Sequence, residues 1–99
     1  MDHPIDIPLD LRRHCIETEA RKLYNRKVGQ YFKAHTGRRQ LAAEIELLKT
    51  VLETFDFSRL RSTYPALAGQ SECSVTIKLA KPNQLAIMLD GERIDPPRR

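Results

Sequence analysis

The residues best suited to chemistry are two cysteines and three histidines: Cys15, Cys73, His3, His14 and His35. A zinc site gathers such ligands in tetrahedral sets, and neighbours in sequence commonly arrive as CxxC or HxxxH. Neither spacing occurs here. If one helix carries both His14 and His35, about 31 Å separates them at 1.5 Å per residue, too far for one ion. We therefore expect no metal and no cofactor.

A Cys–His nucleophilic pair could formally join Cys73 to either of these histidines. However, Cys73 opens an alternating apolar segment, where cysteine behaves as a small buried residue. Cys15 lies beside Lys22 and Arg26 on a helical wheel, so its thiolate is modestly stabilised, which predicts a labelling site rather than a catalyst.

The carboxylates offer no general acid–base pair. Glu17 and Glu19 cannot face each other on a helix, and Glu44 with Glu46, or Asp90 with Glu92, are surface and turn residues. Tyr24 and Tyr31, one heptad apart, read as core edges with wet hydroxyls. Lys27 falls inside their stripe and marks it as partly buried, framing a shallow groove. The chain is expected not to be an enzyme. An enzyme or metal-binding protein, using a groove beside Tyr24, Tyr31 and His35, is the remote alternative.

Basic residues give a second functional pattern. Lys22, Arg26 and Lys33, with Gly29 between the last two, lie opposite the apolar stripe of the first helix, and Arg38 and Arg39 extend the charge into the following turn. Arg12, Arg13 and Arg21 add to it. Such a row suits a phosphate backbone, which it would bind without sequence choice and with steep salt dependence. The opposing reading is a self-complementary hairpin, because the second helix carries Glu44, Glu46, Glu53 and Asp56. No zinc-finger spacing, Gly-rich phosphate loop or aromatic RNA-binding signature accompanies the bases.

The elements that would position these groups follow from periodicity. Met1 to Pro8 reads as an extended lead-in, with Asp6 as a cap. A first helix is expected over about 9–36, because Leu9, Ile16, Ala20, Leu23, Tyr24, Tyr31 and Ala34 share one stripe, and Gly37 is its stop. A second helix over about 38–55 carries the strongest signal, with Leu41, Ile45, Leu48, Leu52 and Phe55 recurring at steps of four and three, widened by Leu47 and Val51. The two should pack as an antiparallel hairpin.

Residues 56–72 read as a linker holding one short turn, pinned by Leu60, Tyr64 and Leu67. The period then becomes two over about 73–80, where Cys73, Val75, Ile77 and Leu79 share a face. Pro82–Asn83 marks a turn, residues 85–89 a second strand, and Asp90–Gly91 a tight hairpin into a third at 92–94. The fold class is thus α+β: an N-terminal helical hairpin followed by a two- or three-stranded antiparallel β-meander, one domain over 1–95, with a disordered tail at 96–99.

Composition agrees. The 99 residues are 40% apolar, ordinary for one globular domain. A formal charge of +4 and a pI near 9.3 are compatible with nucleic acid or an acidic partner without selecting one. Two cysteines, no signal-peptide pattern and no membrane-length apolar run point to a cytoplasmic protein that does not engage membranes.

One segment exceeds what a half-buried strand needs. In Leu85-Ala86-Ile87-Met88-Leu89 alternation fails, so some apolar side chains face away from the helices. Either the stem of Lys78 and the linker shield them, or a partner does. The expectation is a non-enzymatic interaction or assembly module, a homodimer or a partner of another protein. It would use Ala86, Ile87 and Met88 on the strand, or Leu47 and Val51 on the second helix. The alternative is sequence-nonspecific nucleic-acid binding through Lys22, Arg26, Lys33, Arg38 and Arg39.

Overall fold

The computed structural model describes residues 5–69, 73–80 and 84–94. In chain order the elements are strand β1 (Ile5–Asp10), helices α1 (Ile16–Lys33), α2 (Arg38–Thr54) and α3 (Phe57–Thr63), a 3-10 turn (Pro65–Ala68), and strands β2 (Ser74–Ala80), β3 (Gln84–Leu89) and β4 (Glu92–Arg93). The class is α+β, as expected, but the sheet has four strands in the order β1-β2-β3-β4, every neighbouring pair antiparallel.

The extra strand corrects the reading of the N-terminus. Residues 5–10 lie along β2, with Ile7 opposite Ile77 and Leu9 opposite Val75, and α1 begins only at Ile16. Leu9 stands one heptad before Ile16, so it fits a helical stripe as well as an alternation with Ile5 and Ile7. A partner strand more than sixty residues away decides between the two. Pro8 lacks an amide proton and is tolerated because β1 is an edge strand. Asp6, expected as a helix cap, instead faces Lys78 across the sheet, with Oδ2 4.0 Å from Nζ.

The first helix also ends earlier than expected, at Lys33, and it runs unbroken through Gly29. Gly37 still makes the turn: with φ at 72° it is the left-handed residue immediately before α2. Lys27 meets Glu44 and Tyr31 meets Arg38, the mirrored spacing of an antiparallel hairpin. The segment expected as a linker is largely helical. Asp56 caps α3 by accepting a hydrogen bond from the Arg59 amide, and Phe57, Leu60 and Leu67 are buried.

The Asp90–Gly91 turn forms as read, with both φ values positive at 52° and 88°, the signature of a tight two-residue hairpin. Asp90 also ties this turn to β2, because its Oδ1 accepts from the Ser74 amide while its own amide donates to the Ser74 carbonyl. The Pro82–Asn83 turn and the tail at 96–99 lie outside the described residues.

One face of the sheet supplies Ile7, Leu9, Val75, Ile77 and Ile87 to a single core, which Ile16 and Ala20 of α1, Leu47, Leu48 and Val51 of α2, and Leu11, Phe57, Leu60, Leu67 and Ile94 complete. Fully burying each large aliphatic side chain contributes about 1.5–3 kcal/mol. The other face carries Asp6, Pro8, Ser74, Thr76, Lys78, Ala86 and Met88. No described helix is long and apolar enough to cross a membrane.

Candidate functional site

The helical hairpin is anchored at one end only. Ile16 and Ala20 near the start of α1, and Leu47, Leu48 and Val51 in the second half of α2, are buried in the core, with Leu23, Tyr24 and Leu52 packed against it. Between them, no apolar side chain from residue 25 to residue 46 belongs to that core or packs on it. This distal half therefore projects beyond the sheet, held by its own contacts.

Lys27 Nζ lies 2.8 Å from Glu44 Oε1, with both side chains only 17% exposed, and Gln40 Nε2 donates to the other Glu44 oxygen at 3.2 Å. The Arg38 guanidinium stacks 4.4 Å from the centre of the Tyr31 ring, and Phe32 meets Tyr31 edge-on at 5.8 Å. An inter-helix ion pair in place of an apolar contact holds the helices in register but buries little area. Val28, Tyr31, Leu41 and Ile45 consequently remain half-buried, and Phe32 is 76% exposed.

The apolar residues expected as an interface are mostly occupied by the fold itself. Leu47, Val51 and Ile87 are core residues, closed off by the sheet on one side and the helices on the other. Ala86 sits on the outer face of the sheet but is 8% exposed; its Cα partner across β2 is Lys78. Met88 alone of the five is half-exposed, between Thr76 and Arg93. The large apolar side chain that is exposed lies on the hairpin instead: Phe32. Phe32 could have been found from sequence, because it is a large aromatic out of phase with the stripe of Ile16, Ala20 and Leu23.

The five bases behave differently. Lys22, Arg26, Lys33, Arg38 and Arg39 are all exposed, and none forms an ion pair among the described residues. The carboxylates of α2 do not neutralise them: Glu44 is taken by Lys27, a residue of the apolar stripe, and Glu46 and Glu53 form no ion pair among the described residues. The hairpin is thus not self-complementary within one chain. Over residues 25–46 five bases face two acids.

The titratable and nucleophilic groups elsewhere do not converge. Among the described residues no group of three or more His, Cys, Asp or Glu could hold a metal ion. His14 precedes α1 and His35 follows it, about 27 Å of helix apart. Cys15 occupies the N-cap of α1. Burial pushes its thiol up, but hydrogen bonds from Thr18 and from the Glu17 amide, with the charge of Arg61, bring it below the ordinary value. Cys73 is pushed up by burial and by Asp90, and its thiol points at the Ala66 carbonyl at 3.6 Å.

A shallow depression beside β1 and β2, lined by Leu9, Asp10, Arg12, Cys73 and Ser74, holds one acid and one base that satisfy each other. Arg12 donates to both Asp10 oxygens from its side chain, and its amide donates to one of them. These bonds and its positive charge hold the carboxyl down at about 2.

A protein of Archaeoglobus fulgidus described as uncharacterized is 38% identical over 76 residues, covering 75% of this chain and 87% of the relative. No solved structure matches the chain. A family model matches residues 5–88, from the start of β1 through both hairpin helices to Met88 on β3. On that match, which takes in most of the sheet and the hairpin together, the chain belongs to that family.

Proposed function

We propose that this protein is a non-enzymatic, cytoplasmic interaction or assembly module whose working surface is the distal half of its helical hairpin. The observation that supports this reading is the exposed Phe32, with half-buried Val28, Tyr31, Leu41 and Ile45, on helical turns that never reach the core. An isolated two-helix projection is marginal in water, because most helical stability comes from packing an amphipathic face. A partner that packs on it would stabilise the hairpin while gaining apolar contact area. Cys15 and Cys73, both free, suit a reducing compartment.

The test is solution mass and hairpin order. Light scattering during size-exclusion chromatography should give a mass above 11.4 kDa, and Phe32→Glu or Val28→Glu should lower it without unfolding the chain. A wild-type protein that is strictly monomeric, whose hairpin amides are as protected from exchange as the core, would remove the need for any partner.

The unpaired bases support a second reading, sequence-nonspecific binding of nucleic acid through Lys22, Arg26, Lys33, Arg38 and Arg39. Its signature is affinity that falls steeply as salt rises. Absence of binding to DNA and RNA at low salt would end it.

A further inference from the structure

We infer that the distal hairpin binds a single strand of nucleic acid, with its phosphates on Lys22, Arg26, Lys33, Arg38 and Arg39 and an unpaired nucleobase stacked on Phe32. This rests on the second reading above and adds to it the strandedness of the ligand and the residue that selects it.

Positive charge is concentrated here beyond what the fold uses. From residue 20 to residue 43 the chain has seven Lys and Arg residues and no acid. Arg21 and Lys27 are taken by Glu17 and Glu44; the other five, all exposed, form no ion pair among the described residues. Arg38 and Arg39 open α2, where positive charge opposes the helix dipole, and the cap residue Gly37 has no side chain to take the first-turn amides. Two arginines at that place weaken the helix, and an anion drawn to the tip offsets the loss.

The row on α1 lies open. At 100° per residue Lys22, Arg26, Gly29 and Lys33 fall within about 60° of one another and extend about 17 Å along the helix. Nothing lies within 4 Å of a Cβ built on Gly29, so no other element closes the middle of the row. Asn25 and Gln30, exposed beside it, add amide groups that can hydrogen-bond phosphate oxygens.

The same surface selects the kind of partner. The centre of a protein–protein interface is depleted of charge, whereas a surface that meets nucleic acid is polar and strongly positive. Phe32, 76% exposed, is one aromatic ring among cations. It meets Tyr31 edge-on at 5.8 Å, and Tyr31 carries the Arg38 guanidinium 4.4 Å from its ring centre, so aromatic and cation are held together at the hairpin tip. In a duplex the faces of the nucleobases are closed by stacking on one another, but in a single strand they are free to stack on such a ring.

Fluorescence anisotropy tests the assignment, with labelled oligo-dT and oligo-U as single strands, oligo-dT annealed to oligo-dA as the duplex, and circular dichroism to follow folding. Wild type should hold the single strands about five-fold or more tightly than the duplex, and Phe32→Ala should remove that preference with the salt dependence unchanged. Arg26→Ala with Lys33→Ala should instead lower the slope of log affinity against log salt by roughly 0.7 for each cation lost. Equal binding of strand and duplex, with Phe32→Ala inert, would overturn the stacked nucleobase and leave the nonspecific reading standing. No binding to any of the three at low salt would overturn both, and a Phe32→Glu variant that then lowers a solution mass above 11.4 kDa would assign Phe32 to a protein partner.

Discussion

Replacing Gly69 by alanine separates two costs that the fold concentrates at one residue. Gly69 follows the 3-10 turn with φ at +78°, and a Cβ built there would lie 2.9 Å from both the carbonyl carbon and oxygen of His14 and 3.2 Å from the Cys15 amide. The obstructing atoms are backbone, at the entrance to α1, so they cannot rotate away. A non-glycine residue in the left-handed region costs roughly 1–2 kcal/mol, and forcing atoms into a packed site a further 1–3 kcal/mol or so. Gly69→Ala should therefore destabilise by about 2–5 kcal/mol, a large share of the 5–15 kcal/mol or so that holds a small domain together.

Gly37→Ala is the matched control. Its φ is +72°, nearly the same, but nothing lies within 4 Å of the added Cβ. It should cost only the backbone component, about 1–2 kcal/mol, and the lost freedom of glycine in the unfolded chain is common to both variants. Urea unfolding measures the pair, with unchanged slopes showing that only stability moved. If Gly69→Ala proves no worse than Gly37→Ala, the close packing of this turn on the start of α1 is wrong.

Three further outcomes are expected. The Asp10 carboxyl, followed by carbon-13 NMR, should titrate at about 2 in place of the ordinary 3.8, and Arg12→Ala should return it toward that value. Because the folded state depresses this pKa, its contribution to stability is complete above about 3.8 and is lost as pH falls toward 2, so Asp10→Asn should flatten that part of the acid limb. Near neutral pH a thiol reagent should modify Cys15 before Cys73, since one thiol is lowered and the other raised, and Thr18→Val should slow the first. Ile87→Ala should cost about 2–5 kcal/mol by opening a cavity in the core, whereas Met88→Lys, on the outer face, should cost no more than about 1 kcal/mol in thermal or urea unfolding.

The local signals in the chain were reliable wherever a short window contains the whole reason for a structure. The steps of Leu41, Ile45, Leu48 and Leu52 place α2, Asp56 caps α3, and Asp90–Gly91 makes a tight turn, because each depends on neighbours within one or two helical turns or a single hairpin. The candidate site was only half legible. The basic row could be read directly, yet the pairing of Lys27 with Glu44, which leaves that row unneutralised, depends on how two helices meet.

What the sequence by itself determined is the α+β class, the hairpin and the β3–β4 turn. Only the tertiary structure decided which apolar residues are covered and which are not. Leu9 fits a helical stripe with Ile16 as well as an alternation with Ile5 and Ile7 until β2 supplies a partner from the far end of the chain. That strand widens the sheet, and Ile87, Leu47 and Val51 are enclosed in the core between sheet and helices. The hairpin extends past the sheet, so Phe32 and its neighbours are left uncovered. Burial is a property of what arrives from elsewhere in the chain, and periodicity along one element cannot report it.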